Sequence, residues 1–334
     1  MPLKQSSSNA QPHRYVSIIE ACTDSIDPAH RIPYWEAHNA AELVGLRCRE
    51  LNGVPLQAQE RNYDLGALRL SDISGSAHEI ERSQSMVRRL PKTSLFASLL
   101  VEGQGYFLQA GKQVWLKPGE VVLYSTDQPY LFGFSQPMRQ ILVDLNVNSP
   151  GCNEWPRLAG PVYVGKNQRL DRYDMASFAN IVSSFVQLPE QRRADCVVGS
   201  IQSLIGRALG TTPVRSRAAT AQLRYLRAKA FITERAADPQ FSRDELAAFM
   251  GVSLRSLERL FAQFGTTLAD DIWARRFAKA HVLLTTAHGC ALSIGEIAAR
   301  TGFSTQAHFS TAFRNYYGVT PRQLRKQSLA LHAN

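Results

Sequence analysis

Hydrogen-bonding side chains are concentrated on one face of a short segment near the C-terminus. Phe309 and Phe313 lie four residues apart, which predicts a helix with a buried apolar stripe. The other face of this helix carries small or hydrogen-bonding side chains, namely Thr305, Gln306, Ala307, His308, Thr311 and Arg314. Because such side chains can bond to the edges of base pairs, this face is typical of a helix that enters a DNA major groove.

A second helix and a tight turn are predicted to position this one. Ser293 and Glu296 form the pattern S-x-x-E, in which each side chain satisfies the other's free backbone N–H at the start of a helix. Gly302 stands where this first helix must stop, and a left-handed C-cap suits glycine. Ser304 is expected to cap the following helix. The segment therefore predicts a helix, a tight turn and a second helix.

The same pattern occurs earlier in the chain. Ser242 with Glu245 repeats the capping pattern, and Gly251 repeats the turn glycine. Leu257 and Phe261 repeat the apolar stripe if one residue is inserted. Two ordinary helical hairpins would explain the stripes but not the caps and glycines in register. The chain is therefore predicted to contain two copies of one unit.

The C-terminal part of the chain resembles the DNA-binding domain of AraC/XylS-family transcription regulators. The matching motifs are I-x-x-I-A-x-x-x-G-F at 294–303, F-S-x-x-F-R at 309–314, Y-Y-G-V-T-P-R-Q-L-R at 316–325 and R-x-x-x-A-x-x-L-L at 276–284. The resemblance implies two helix-turn-helix units on double-stranded DNA, joined by one long helix. That helix is expected from about Leu268 to Thr285.

Family roles can be carried over position by position. For the first unit the resemblance implies base-edge contacts from Arg255, Glu258 and Arg259. For the second unit it implies the same contacts from Gln306, Ala307, His308 and Thr311. Many relatives carry arginine at the position of Thr311, and this departure bears on how strongly the second unit reads bases. Phosphate contacts or structural roles are expected for Ser253, Ser304, Arg314, Arg322 and Arg325.

Positive charge is concentrated in the part of the chain that carries the repeat. The 334 residues have a formal net charge of +10. Residues 221–334 hold fifteen Lys or Arg against eight Asp or Glu, a net charge of +7. Contact with DNA phosphates requires such an excess. The length is consistent with two domains.

The N-terminus and the cysteines indicate a cytoplasmic protein. The opening residues MPLKQSSSNAQPHR are polar and lack the apolar core of a secretory signal, so residues 1–26 are expected to form a disordered tail. No apolar run approaches the ~18 residues that span a membrane. The five cysteines, at positions 22, 48, 152, 196 and 290, have no C-x-x-C spacing. They are typical of reduced thiols and not of a disulfide framework or a zinc site.

The region before the repeat is predicted to be a barrel of short strands. One or two helices are expected within 27–60, and residues 63–147 then alternate apolar and polar side chains, with glycines at the turns. The segment K-P-G-E-V-V-L at 117–123 resembles a turn common in cupin barrels. It also resembles the sensor domain of AraC/XylS regulators, in particular the branch of FeaR and XylS.

A cupin-like barrel could hold a catalytic metal or an organic ligand. Metal-dependent oxygenases of this shape need histidine and carboxylate ligands on the strands. No histidine occurs between His78 and His281, so no metal, cofactor or catalytic residue is expected. The barrel is more consistent with a small organic effector or with no ligand. Candidate pocket residues are Tyr106, Trp115, Tyr124, Tyr130 and Phe132, together with Phe107 and Phe134.

Two predicted helices and a linker complete the chain. Apolar stripes within 169–209 predict a helical hairpin interrupted at Pro189, which packs on the barrel or forms a homodimer. Residues 210–219 are predicted to be a linker. The fold class is therefore α+β, with a cupin-like sensor and dimerisation domain at 27–209 and an all-α double helix-turn-helix domain at 220–334.

These observations favour a transcription regulator that responds to an effector, usually an activator in this family, which works with RNA polymerase. Two alternatives remain open. One is an architectural DNA-binding protein without an effector. The other is a barrel enzyme with an appended helical domain.

Overall fold

The computed structural model describes residues 17–146, 155–164, 169–187, 194–211, 217–286 and 291–332. The chain divides into two units, Met1–Ala219 and Thr220–Asn334. Each unit has a hydrophobic core of its own. Cys152, Cys290 and the predicted helix break at Pro189 lie outside the described residues. Within the described ranges, no helix is both long enough and apolar enough to span a membrane.

The first unit contains two antiparallel sheets that share one core. The seven-stranded sheet has the order β1-β3-β4-β11-β6-β9-β12 and consists of β1 (Ser17–Cys22), β3 (Ala58–Asp64), β4 (Arg69–Gly75), β11 (Met138–Asn146), β6 (Ser94–Glu102), β9 (Val121–Ser125) and β12 (Val162–Tyr163). The five-stranded sheet has the order β2-β5-β10-β7-β8 and consists of β2 (Arg47–Glu50), β5 (His78–Arg82), β10 (Tyr130–Phe134), β7 (Gly105–Gln109) and β8 (Lys112–Leu116). The arrangement is cupin-like and resembles a jelly roll, and the sheets do not close into one barrel.

Helices cover this sheet pair. α1 (Arg31–Glu42) buries Trp35 in the shared core, and α2 (Gln84–Arg89) is a short helix between strands. α3 (Arg172–Gln187) lies against the seven-stranded sheet, where the hydroxyl of Tyr63 donates to the carbonyl of Val186 at 3.3 Å. α4 (Ala194–Leu209) packs on α3.

An ion pair shows the relative direction of the two helices α3 and α4. Arg207, near the end of α4, donates from both terminal nitrogens to Asp174, near the start of α3, at 2.9 and 2.8 Å. The helices therefore run antiparallel, as predicted. Their apolar stripes are buried within this one chain, since Phe178, Ile181, Ile201 and Leu204 are each at most 3% exposed.

One boundary of the first unit differs from the prediction. Residues 17–22 form β1 and pair along β3 from Ser17↔Asp64 to Cys22↔Gln59, so the disordered tail expected at 1–26 is wrong for this segment. The pairing partner lies some 40 residues away in sequence, so no local pattern indicates it. The region 27–60 holds one α-helix, α1, in agreement with the prediction of one or two helices, followed by β2 and the start of β3.

The second unit is entirely helical in the residues described. Its helices are α5 (Arg217–Arg235), α6 (Arg243–Met250), α7 (Leu254–Gln263), α8 (Leu268–Thr285), α9 (Ile294–Arg300), α10 (Gln306–Tyr317) and α11 (Pro321–His332). The long helix expected at 268–285 is confirmed as α8. α5 begins at Arg217, so the last three residues of the predicted linker 210–219 are helical.

Candidate nucleic-acid interface

The first helix of the second copy begins and ends as its sequence predicts. Ser293 Oγ accepts a hydrogen bond from the Glu296 N–H at 3.1 Å, and Glu296 Oε2 accepts one from the Ser293 N–H at 2.7 Å. The helix ends at Gly302, whose φ of 86° lies in the left-handed region. A Cβ at Gly302 would stand 2.6 Å from the Ala236 carbonyl oxygen, so glycine is required by space as well as by conformation.

The first copy repeats these devices with one difference. Ser242 Oγ accepts from the Glu245 N–H at 3.1 Å, and Gly251 ends α6 with a φ of 63°. Glu245 Oε1, however, accepts from Arg235 Nε at 3.1 Å. Only half of the predicted reciprocal cap is therefore observed at α6, because an arginine of α5 binds this glutamate.

The inserted residue of the second copy lies between its turn glycine and its next cap. α7 is capped by Ser253, whose Oγ accepts from the Ser256 N–H at 3.3 Å. α10 is capped by Thr305, whose Oγ1 accepts from the His308 N–H at 3.2 Å. The prediction that Ser304 caps α10 is therefore wrong by one residue. Ser304 is exposed and precedes the cap.

Helices α7 and α10 present matching faces to solvent. Their inner faces hold Leu257 and Phe261 in α7 and Phe309 and Phe313 in α10, all 0% exposed. The predicted base-reading residues are all exposed, namely Arg255, Glu258 and Arg259 in α7 and Gln306, Ala307, His308 and Thr311 in α10. The division into a buried stripe and an exposed hydrogen-bonding face is thus the same in both copies.

The exposed residues of α7 differ in their partners. Glu258 Oε1 lies 3.5 Å from Arg243 Nη1 of α6, in an ion pair that is about half exposed on both sides. Among the residues that the structure describes, no carboxylate lies within salt-bridge distance of Arg255 or Arg259. These two guanidinium groups can therefore bind an external acceptor without breaking an ion pair.

The exposed residues of α10 also differ in their surroundings. The His308 ring packs edge-on against Trp273 and Phe303, with ring centroids 5.6 and 5.8 Å apart. Gln306 Oε1 folds back toward α9, where a Cβ at Gly295 would lie 3.1 Å from it. Arg314 and Arg322 are exposed. Arg325 is half-buried and its Nε and Nη2 are shielded from solvent, so it is poorly placed for the predicted phosphate contact.

Arg276, which sequence reasoning assigned only to a motif, connects the two copies. Its Nε donates to the Ala236 carbonyl at the end of α5 at 2.7 Å. Its guanidinium lies 5.5 Å from the ring centroid of Trp273 and 6.0 Å from that of Phe303. Helix α8, which carries Arg276, thus holds the turn of the second copy against the segment that precedes the first copy.

A further reciprocal cap lies between Thr320 and Gln323 at the start of α11. The sequence shows it as the pattern T-x-x-Q.

Two family models match this chain. A helix-turn-helix domain model matches residues 246–327, and an AraC-binding-like domain model matches residues 35–278, which is more than half of the chain.

The chain belongs to the AraC family of transcription regulators.

Similar proteins include regulators of transcription. This AraC-family chain is 26% identical over 326 residues to the transcriptional activator NphR of Rhodococcus sp, with 93% of each protein covered. It is 42% identical over 96 residues to the HTH-type transcriptional regulator GlxA of Rhizobium meliloti (strain 1021), which covers 28% of this chain and 29% of GlxA. The crystal structure of the AraC-like transcriptional activator CuxR has a TM-score of 0.47 and 19% identity, covering 85% of this chain and 100% of CuxR.

In this AraC-family chain, the predicted effector residues do not surround one pocket. Tyr124, Tyr130 and Phe132 are at most 4% exposed and pack around the Phe107 ring, at centroid distances of 4.4, 5.7 and 5.2 Å. Trp115 is 66% exposed, on the outer side of the five-stranded sheet. Tyr106 lies beside it and donates its hydroxyl to Glu79 Oε2 at 2.7 Å. The prediction missed which side chains of each strand point inward.

The polar part of the interior lies at a different place, on the inner face of β3. Glu60 is 1% exposed, and burial raises the pKa of its carboxyl to about 7. Asn62 opposes this pKa shift and Glu42 adds to it. The alternation of AQERNYD in β3 resembles an exposed strand, so its sequence pattern does not identify Glu60 as buried.

Stability should therefore depend on pH through Glu60. Between pH 4.5, the usual value for glutamate, and about 7, the folded state keeps a proton that the unfolded state has lost. The free energy of unfolding should fall by about 3 kcal/mol as pH rises across this window and level off above it. In Glu60→Gln this contribution should be absent.

Urea unfolding of both proteins from pH 4.5 to 8 measures the difference. Subtracting the two curves removes the contributions of ionisable groups that the two proteins share. Glu20→Gln, on the paired strand β1 and 57% exposed, is the matched control and should follow the wild-type curve. Parallel curves for wild type and Glu60→Gln would show that Glu60 titrates normally.

Proposed function

We propose that this protein is an effector-responsive activator of transcription that places α7 and α10 in adjacent major grooves of promoter DNA. The observation that carries the proposal is the repeated helix pair, with the same exposed hydrogen-bonding face in both copies and one helix between them. The 18 residues of α8 span roughly 27 Å at 1.5 Å per residue. Adjacent grooves on one DNA face lie about 34 Å apart, so binding is expected to bend the DNA.

We further propose a function for each unit of the chain and the partners of the protein. Residues 27–209 would sense a small organic effector and form a homodimer, and residues 220–334 would bind DNA, with a short linker within 210–219. Because the stripes of α3 and α4 are buried within one chain, a dimer would use their outer faces. Two DNA-binding domains in one dimer bind at a high effective concentration. We propose RNA polymerase as the target of activation and the cytoplasm as the location of the protein.

An architectural DNA-binding protein without an effector is the second candidate. The packed aromatic interior around Phe107 favours it, because the predicted effector residues fill that space themselves. The barrel enzyme has less support, since family membership indicates a regulator.

Selection of binding sites from a random DNA library, with the full-length protein, tests the proposal. We expect one enriched motif with two blocks separated by about 10 base pairs, and a footprint of defined length over both blocks. An architectural protein would enrich no motif. A protein that retains no DNA at all would contradict both candidates.

Arg255→Ala should weaken binding to the selected site by about 1–3 kcal/mol and relax discrimination at one base pair. The reason is that an exposed, unpaired guanidinium can form two hydrogen bonds with guanine. Arg89→Ala, an exposed arginine of the first unit, removes the same charge and should leave affinity unchanged. Titration of site variants by mobility shift measures both. Equal losses on every variant would assign Arg255 to phosphate contact.

A further inference from the structure

A cleft of about 420 Å³ lies in the first unit, between the turn that joins β8 to β9 and the start of α3. Pro118 and Glu120 line it from the turn, and Met175, Ala176 and Ala179 line it from one face of α3. None of the residues predicted to bind the effector is among its described lining residues. The turn belongs to the K-P-G-E-V-V-L segment, so the cleft lies beside the motif that the sequence shares with cupin barrels.

Hydrogen bonds within the fold hold both walls of this cleft. In the turn, the Gly119 N–H donates to the Leu100 carbonyl of β6 at 2.7 Å. On the helix side, Asp171 Oδ1 accepts from the N–H groups of Tyr173 and Asp174 at 2.9 and 3.0 Å, which caps the start of α3. The cleft is therefore formed by the fold itself, as small-molecule sites usually are.

The charged side chains that line the cleft are bonded within the fold, as the carboxylate that caps α3 already shows. Glu120 Oε2 accepts from the Lys117 N–H at 2.8 Å, and Glu120 Oε1 accepts from the Tyr163 hydroxyl. Arg172 Nη2 donates to the Tyr173 hydroxyl at 2.9 Å. A charged ligand would lose its hydration here and would compete with these bonds, so the cleft disfavours ions.

The remaining walls of the cleft are apolar. Val164 and Leu170 are at most 9% exposed, and both line it. Met175 is half-buried, and its flexible side chain can adapt to ligands of different shape. Small-molecule sites typically measure about 300–1,000 Å³, so this cleft fits one small molecule. An apolar molecule would cover these walls without breaking a hydrogen bond.

The cleft adjoins the end of α4, where the predicted linker begins. Leu170 lines the cleft, and the preceding residue, Arg169, places its guanidinium over Gly210, where a Cβ would stand 2.7 Å from the Arg169 Cζ. The ion pair between Asp174 and Arg207 joins the same ends of α3 and α4. A ligand that contacts α3 in the cleft therefore contacts a helix that is bound to the end of α4.

We propose that this cleft is the effector site and that the effector is a small uncharged apolar molecule. The inference rests on the proposed function, since it names the site and the chemical class of the effector. A ligand that binds one arrangement of α3 and α4 more tightly shifts the protein toward that arrangement. Because α4 leads into the linker, the shift changes how the DNA-binding unit is held.

Thermal unfolding of the full-length protein near neutral pH tests the site, with toluene and 1-hexanol as the probes. Both should raise the melting temperature in a saturable way, because a ligand of the folded state stabilises it. Benzoate and benzylamine are the matched compounds, since each adds one charge to a similar ring. Neither of these two should stabilise the protein.

A variant that fills the cleft assigns the response to it. In Ala176→Phe the half-saturating toluene concentration should rise on the order of 10- to 100-fold, because the new ring takes the apolar contacts of the ligand. Ala176 is exposed, so the variant is expected to fold, and Ala179→Phe, nearly one turn further along, is a second filling variant. Gln187→Phe adds the same side chain at the exposed last residue of α3 and should respond as the wild type does.

A mobility shift on the selected DNA site, with the same preparations, tests the effector role. Toluene should change the affinity for DNA by at least about 5-fold in the wild type and in Gln187→Phe, but not in Ala176→Phe. The proposal is overturned if neither probe stabilises the wild type, if a charged compound acts as well, if both filling variants keep the full response, or if DNA affinity does not change. Any of these results with intact sequence-specific binding overturns the effector site alone. Loss of sequence-specific binding in the wild type overturns the regulator itself.

Discussion

Replacing Phe309 with alanine should lower the free energy of unfolding of the second unit by about 3–5 kcal/mol. Phe309 is 0% exposed, and its ring centroid lies 4.9 Å from that of Phe303 and 5.4 Å from that of Phe313. The cluster extends to Phe277 of α8. Alanine would leave a cavity among aromatic rings that α8, α9 and α10 hold in place, so little collapse is expected.

Thr311→Ala is the matched control, because Thr311 lies two residues later on the exposed face of the same helix. It should change stability by no more than about 0.5 kcal/mol. Amide hydrogen exchange in α9 and α10 of the full-length protein measures both, since these helices belong to the affected cluster. If Phe309→Ala exchanges as slowly as Thr311→Ala does, the assignment of buried and exposed faces on α10 is wrong.

The parts of the fold that depend on local chemistry were predictable. The caps at Ser293 and Ser242 and the left-handed glycines at 251 and 302 each follow from a few neighbouring residues, and the long helix α8 was implied by the family resemblance. The α+β architecture with a sheet-rich first unit and a helix-turn-helix second unit was also predicted correctly. The cap at Thr305 was missed because the sequence does not show where in the second copy the extra residue lies.

The parts that depend on distant pairing were not predictable. β1 was missed because its partner β3 is remote in sequence. Side-chain direction in the strands was the other failure, since Tyr106 and Phe107 are both aromatic while only Phe107 faces the core. For the same reason the sequence did not show that Trp115, a candidate pocket residue, is exposed. A one-residue change of register exchanges the two faces of a strand, and sequence alone does not fix it.

The position of Glu60 shows the same limit. Its burial depends on the register of β3 against β1 and β4. That register cannot be inferred from residues 58–64 alone. The buried stripes of α7 and α10, by contrast, are set within single helices, which explains why they were predictable.

DNA binding by this protein should fall steeply with salt. We expect about four to eight phosphate contacts for each DNA-binding domain, and therefore a loss of roughly 10²- to 10⁴-fold in affinity from about 50 to about 200 mM salt. The physical cause is the release of counterions from phosphates by the cationic side chains of residues 221–334, which carry a net charge of +7. Arg314, on α10, and Arg322, on α11, are exposed.

The slope of log Kobs against log salt concentration, measured by fluorescence anisotropy on the selected site, gives the number of contacts. Arg322→Ala should reduce the steepness of that slope by about one and weaken all sites equally, because a phosphate contact carries no sequence information. Arg255→Ala should instead change the order of preference among site variants. Arg89→Ala, in the first unit, should change neither. A flat salt response would exclude phosphate neutralisation as the source of affinity, and the basic second unit would then need another partner.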